Sequence, residues 1–296
     1  MPELPDITVY VESLEARLRG ATLRQIRLLN PFLLRTALPP ISAAQGQRVV
    51  TVERLGKRVV LALDTGLCLV IHLMIAGRLR WLAAGAKAPA KMALALFEFD
   101  LGTLVLTEAG SKRRASLHLV ADREGLRMLD PGGIDVLDAD VEIFAERLVR
   151  KNHTLKRALT NPKIFSGIGN AYSDEILHRA RLSPVTLTRA LDGEQRQRLF
   201  DATRAVLGEW TDRLRSEAAR HGGWPAQVTA FRPEMAVHGR FGRPCPVCAA
   251  PVQRIVYADN ETNYCARCQT GGKVLADRAL SRLLKASWPR HIDDLE

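Results

Sequence analysis

What the chain lacks narrows its class before any motif is read. Its start, Met-Pro-Glu-Leu-Pro-Asp, has neither a basic flank nor an apolar run, so it does not read as a secretory leader. No apolar stretch reaches membrane-spanning length, because Asp64 and His72 interrupt the most hydrophobic region. Cysteine is scarce: there are five, an odd number, and four of them stand in two pairs near the C-terminus, which suits a metal better than a disulfide framework. These absences predict a soluble protein of a reducing, cytoplasm-like compartment. Acidic residues are also under-represented, with 32 Asp and Glu against 43 Lys and Arg, a formal net charge of +11. Residues 151 to 296 hold 23 of those basic residues against 15 acidic ones, a balance that suits either a polyanionic partner or a solvated basic surface. Apolar residues at 47% and charged residues at 25% exclude disordered and fibrous classes. A length of 296 residues allows about two domains with cores of their own.

Along the chain, Pro2 and Pro5 predict a stiff start, and Asp6 is expected to cap a helix whose buried face carries Ile7, Tyr10, Val11, Leu14 and Leu18 before Gly20 closes it. Eight short β-rich runs follow, at residues 23–29, 48–54, 58–64, 67–73, 78–82, 92–100, 103–107 and 115–120. Asp-Thr-Gly and Asp-Leu-Gly turns lie between them, as in an antiparallel sandwich or flattened barrel. Asp130-Pro131-Gly132-Gly133 ends this half. Helical periodicity then marks residues 141–149, 155–159, 172–180 and 194–219. The expected class is α+β. Its expected division is a β-sandwich domain at 1–130, a linker at 131–140, a helical domain at 141–244, a zinc ribbon at 245–269 and an extension at 270–296. In the extension, Leu280, Leu283, Leu284 and Trp288 predict a docked helix.

Three stretches carry chemistry. The spacing Cys245-x2-Cys248-x16-Cys265-x2-Cys268 is that of a four-cysteine zinc ribbon. Four thiolates leave no open position for a catalytic water, so one Zn2+ with a structural role is expected. In Asn161-Pro-Lys163-Ile-Phe-Ser-Gly167-Ile-Gly169-Asn170, the glycines permit close approach of backbone N–H groups to an anion. Asn170 or Ser173 is placed to cap the following helix, although a glycine pair before a helix is by itself more often a plain turn. At the start, Pro2 freed of Met1 would present a secondary amine, partly neutral at physiological pH and able to attack a sugar C1′, with Glu3 beside it as acid or base. An exposed, unstructured end is the alternative.

Together the Pro-Glu-Leu-Pro start, the run Gly167-Ile168-Gly169-Asn170-Ala171-Tyr172-Ser173-Asp174-Glu175 and the cysteine quartet resemble the formamidopyrimidine-DNA glycosylase and endonuclease VIII family of DNA repair enzymes, over nearly all of residues 2–269. The resemblance implies a bifunctional base-excision glycosylase and abasic-site lyase that acts through Pro2 and Glu3. Lys57 would be directed at DNA near the lesion, and Lys163 and Asn170 would grip the flanking phosphates. It also implies a monomer acting on damaged duplex or single-stranded DNA, cytoplasmic and, in a bacterium, nucleoid-associated. Asp6 departs from the family glutamate. Ile75, with Met74 beside it, stands where the family places a wedge methionine. The run Glu108-Ala-Gly-Ser-Lys112-Arg113-Arg114-Ala115 keeps basic residues for phosphate contact but lacks the aromatic of many relatives. Asn260, five residues before Cys265, replaces the hairpin arginine, and Asp259 and Glu261 flank it. Two alternatives therefore stay open: a damaged-DNA-binding protein with little or no excision, and a glycosylase specialised for pyrimidine, bulky or crosslinked lesions.

Overall fold

The structure is a computed structural model that describes residues 1–83, 85–86, 92–110, 112–225, 228, 231–257, 260–275, 283 and 289–295. Of the C-terminal stripe only Leu283 falls inside that set, and Ser111 and Asp259 also lie outside it. The chain forms two compact units, Met1–Pro131 with Trp210–Thr229, and Gly132–Glu209 with Ala230–Glu296. Among the described residues no helix is long and apolar enough to cross a membrane.

The first unit opens on α1 (Leu4–Leu18), whose N-cap is Glu3. Asp6 is therefore the third helical residue rather than the cap: the Glu3 N–H donates to Asp6 Oδ2 at 2.9 Å, one half of a reciprocal capping box. The helix can start this early because Pro5 falls in its first turn, where no intrahelical N–H is needed. Eight strands follow: β1 (Leu23–Leu28), β2 (Val49–Leu55), β3 (Arg58–Leu63), β4 (Cys68–His72), β5 (Gly77–Leu82), β6 (Ala93–Phe99), β7 (Gly102–Glu108) and β8 (Ser116–Val120). They make two antiparallel sheets, ordered β1-β6-β7-β5 and β2-β3-β4-β8.

One face of each sheet contributes to a shared core. Val59, Leu61, Leu69, Ile71, Leu117 and Leu119 meet Leu23, Phe97, Leu104 and Leu106, and α1 adds Ile7, Tyr10, Leu14 and Leu18. Each such side chain, fully buried, contributes about 1.5–3 kcal/mol. The opposite face of β3 and β4 is not left to solvent. Val60, Ala62, Cys68 and Val70 pack with Leu126 of α2 (Arg123–Met128), a short helix that the periodicity does not reveal. Burial on both faces explains why residues 59–63 are continuously apolar rather than alternating.

In the second unit, α3 (Val141–Val149) is capped by Asp140, which accepts the Ile143 N–H at 2.8 Å. It is followed by α4 (Leu155–Thr160), α5 (Asn170–Arg179) and the start of the long α6 (Gly193–Arg220), whose end belongs to the first unit. Phe144 of α3 stacks on Phe165 at 4.7 Å and tilts against Phe200 of α6 at 5.4 Å, fixing this helical cluster. The ribbon adds the hairpin β9 (Gln253–Tyr257) and β10 (Asn260–Tyr264), then α7 (Ala266–Thr270).

Candidate functional site

In the first unit the chain start is enclosed. Pro2 is buried and Glu3 is 2% exposed, so the stiff N-terminal dipeptide is held by structure rather than left loose. Burial pulls the terminal amine of Met1 below its ordinary value. Glu3 and Asp6 oppose that shift, and Arg78 and Lys57 reinforce it. Glu3, Lys57 and Arg78 thus all lie within electrostatic reach of the chain start. Lys57 occupies the two-residue turn between β2 and β3, beside Gly56 at φ 60°. No motif in the sequence singles out Arg78. Its guanidinium donates to the Ile75 and Gly77 carbonyls at 3.2 and 2.7 Å, bracing the turn that precedes it.

That turn, Leu73 to Gly77, is tight. The Gly77 N–H donates to Leu73 O at 2.9 Å, a Cβ on Gly77 would collide with that carbonyl, and Met74 adopts a positive φ of 52°. Its product is an apolar side chain held outward, since Ile75 is 55% exposed while Met74 is half-buried. Lys112, Arg113 and Arg114 are exposed on the loop after β7. Buried Glu108 anchors this loop by accepting the Arg114 and Ala115 N–H groups, each at 3.0 Å, a role no local pattern announces.

In the second unit, the glycine loop enters α5 with Gly169 as N-cap and no side-chain cap. Neither Asn170 nor Ser173 caps it. Ser173 Oγ donates back to Gly169 O at 2.6 Å, and Asn170 Nδ2 donates to Glu261 O of β10 at 2.8 Å. Lys163 is exposed on an Asn161 turn, its N–H bonded to Asn161 Oδ1 at 3.0 Å. Asn260 is exposed at the start of β10, opposite Tyr257. Its neighbour Glu261 is not an uncompensated charge: Arg254 reaches it at 3.3 Å and Asn263 Nδ2 at 2.8 Å. Arg254 in turn stacks over Phe241 at 4.2 Å.

The four cysteine sulfurs lie within 4.8 Å of one another, with Cys245 and Cys268 at 3.9 Å and Cys248 and Cys265 at 3.4 Å. A tetrahedron with metal–sulfur bonds of about 2.3 Å has sulfur–sulfur edges of about 3.8 Å, so the quartet fits one zinc ion. Burial raises the Cys265 and Cys268 thiols, the latter to about 11, so thiolates at these two positions need a cation to stabilise them. His178, whose pKa burial lowers to about 4, places Nε2 3.3 Å from Cys245 Sγ, an outer contact that the spacing of cysteines does not predict.

The glycine loop between α4 and α5, followed by a four-thiolate ribbon, places the chain among DNA repair proteins of the helix-two-turns-helix class. Residues 1–117 match the formamidopyrimidine-DNA glycosylase N-terminal domain, residues 133–215 the H2TH domain of the same enzymes, and residues 242–271 the zinc finger found in FPG and IleRS. A formamidopyrimidine-DNA glycosylase of Heliobacterium modesticaldum is 33% identical over 278 residues, covering 91% of this chain and all of the relative. The crystal structure of MutM (Fpg) from Thermus thermophilus superposes with a TM-score of 0.75 at 31% identity, covering 90% of this chain and 98% of that one. Lactococcus lactis Fpg in complex with DNA containing an oxidized pyrimidine gives 0.77 at 25% identity, covering 91% and 100%. The chain belongs to the formamidopyrimidine-DNA glycosylase and endonuclease VIII family of DNA repair glycosylases, and its ribbon is a structural zinc site.

Proposed function

We propose that this protein excises damaged bases from DNA and cleaves the abasic strand, with the amine of Pro2, exposed by removal of Met1, as nucleophile. The observation that carries the reading is the buried Pro2-Glu3 pair at the start of α1, set among Arg78 and Lys57. Burial favours the neutral form of an amine, and a neutral amine can add to C1′ as the base departs. Glu3 supplies the proton when the sugar ring opens, which leaves an iminium. Loss of a C2′ proton then expels the 3′ phosphate, and water releases the proline. Lys57 steers the substrate. Ile75, outward on its rigid turn, enters the base stack as an apolar wedge while the target nucleotide is everted. Lys112 and Arg113 meet phosphates on one unit, and Lys163 and Asn170 do so on the other. A panel of oxidised, alkylated and crosslinked bases in duplex and single-stranded DNA tests this. At least one substrate should yield free base and a cleaved strand, and release from none would remove the assignment.

Lys163→Ala should reduce the slope of log affinity against log salt by about 0.9 on duplex DNA, one lost phosphate contact. An unchanged slope, measured by titration at several salt concentrations, would take Lys163 out of the interface.

Asn260 favours a second, weaker-binding variant of the reading. A charge-assisted phosphate contact is worth about 1.5–3 kcal/mol, and asparagine supplies none of that charge. Since Arg254 is already paired with Glu261, it is not free to replace the missing arginine without giving up that partner. Asn260→Arg should therefore tighten binding to an abasic duplex by at least about tenfold and shift products toward the second elimination. Identical affinity, rate and product ratio would show that the hairpin tip does not meet the phosphate.

A further inference from the structure

Asp174 is fully buried on α5, yet both of its carboxylate oxygens are committed. Lys156 Nζ stands 2.5 Å from Oδ1, and His238 Nδ1 stands 2.7 Å from Oδ2. Lys156, only 13% exposed, also donates to Asn170 O at 2.7 Å, the residue that opens α5. His238 is stacked on Phe231 with ring centroids 5.7 Å apart and 18° between planes. The next residue, Gly239, donates its N–H to Asn263 Oδ1 at 2.8 Å. Asn263 Nδ2 reaches Glu261 Oε1 at 2.8 Å, and the Glu261 carbonyl accepts from Asn170 Nδ2 at 2.8 Å. The hydrogen bonds thus close a ring through three segments: the start of α5, residues 238–239, and strand β10. Neighbouring Glu175 fastens the same segment again, accepting the Ala236, Val237 and His238 N–H groups at 2.7, 2.9 and 2.9 Å.

A buried carboxylate held by a lysine and a histidine is costly to assemble and is weak evidence of added stability, whereas breaking it strands the partners. Such an arrangement is best suited to fixing geometry. The geometry here is that of Asn170, whose backbone carbonyl is held by Lys156 and whose amide nitrogen spends one of its two hydrogens on Glu261. We propose that Asp174 is a positioning residue for the DNA-backbone grip: by holding Lys156 and His238 it sets Asn170 against β10, and so tunes DNA affinity without touching DNA itself. The inference rests on the reading that Asn170 meets a phosphate.

The test is a double-mutant cycle on duplex containing a stable abasic-site analogue, using the full-length zinc-loaded protein. Asp174→Asn should weaken binding by about tenfold, as should Asn170→Ala, and the double variant should be no weaker than Asn170→Ala alone, because both act through one contact. The loss should appear in the DNA concentration needed for half-maximal trapping rather than in the trapping rate at saturation. His238→Phe keeps a ring against Phe231 and deletes only the contact to Asp174. It should weaken binding in the same direction and be non-additive with Asn170→Ala, which preserves the test should Asp174→Asn not fold. Multiplicative losses in the cycle, or unaltered affinity in both Asp174→Asn and His238→Phe, would overturn the inference while leaving the glycosylase assignment standing. Failure of the parent protein to bind the duplex would overturn both.

Discussion

Protein that retains Met1 should form no covalent adduct when borohydride is added with an abasic duplex, whereas Met1-free protein should be trapped. In the first, Pro2 nitrogen is an amide and carries no nucleophilic pair; in the second it is a secondary amine that condenses directly to an iminium, the species hydride reduces. Pro2→Gly, processed in the same way, keeps only a primary amine without the ring that fixes its direction, and trapping should slow by at least about tenfold. Glu3→Gln should slow base release by about 10²–10⁴-fold, the usual range for a positioned proton donor. The pH dependence follows from burial. Burial pulls the Met1 amine below its ordinary value of 8.0, and the same enclosure favours the neutral form of the Pro2 amine once Met1 is gone, so trapping should fall off at lower pH than for an exposed terminal amine. Intact mass spectrometry of the trapped species decides the matter. An adduct formed at full rate by Met1-retaining protein would transfer the role to another amine, with Lys57 the first candidate.

Loss of zinc should be the most disruptive single change to the second unit. The ribbon core consists of Cys245, Cys265, Val252, Tyr264, Ala250 and a few neighbours, too little apolar surface to hold a two-stranded hairpin without the metal. Structural zinc in isolated finger peptides is worth about 10–16 kcal/mol at neutral pH, and most of that is folding free energy. Metal analysis should return one zinc per chain. Cys265→Ala, or prolonged chelation, should abolish it and lower affinity for duplex DNA by at least about tenfold, because Asn170 leans on the Glu261 carbonyl of β10. Among the described residues the sandwich core has no member from the ribbon, so strand signal in circular dichroism should survive. Zinc-free protein that remains fully folded and binds DNA normally would contradict the structural role.

Much of the fold was legible because its signals are local. Short β-rich runs bounded by turn residues, the Asp-x-Gly turns among them, located all eight strands of the sandwich to within a residue or two. The helical stripes located α3, α4 and α6 equally closely, and the cysteine spacing identified the metal ligands. Local signals also misplaced features where two rules competed. Asp6 resembles a cap, but Pro5 is compatible with a first helical turn, so the helix begins earlier and Glu3 takes the cap. Helix α2 escaped notice because six residues with one buried leucine show no period.

By itself the sequence determined the α+β class, the zinc ligand set and the motifs of the family, the Pro2-Glu3 start among them. These follow from spacing within about twenty residues, and spacing is a property of the chain. Only the tertiary structure decided what surrounds those residues. It turned Ile75 outward on a glycine-dependent turn, bonded Arg78 to the Ile75 carbonyl, paired Glu261 with Arg254, and joined Asp174 to His238 across 64 positions and Asn170 to Glu261 across 91. The physical reason is that a buried polar group must find a partner, and which partner it finds depends on how distant segments pack rather than on its neighbours in the chain.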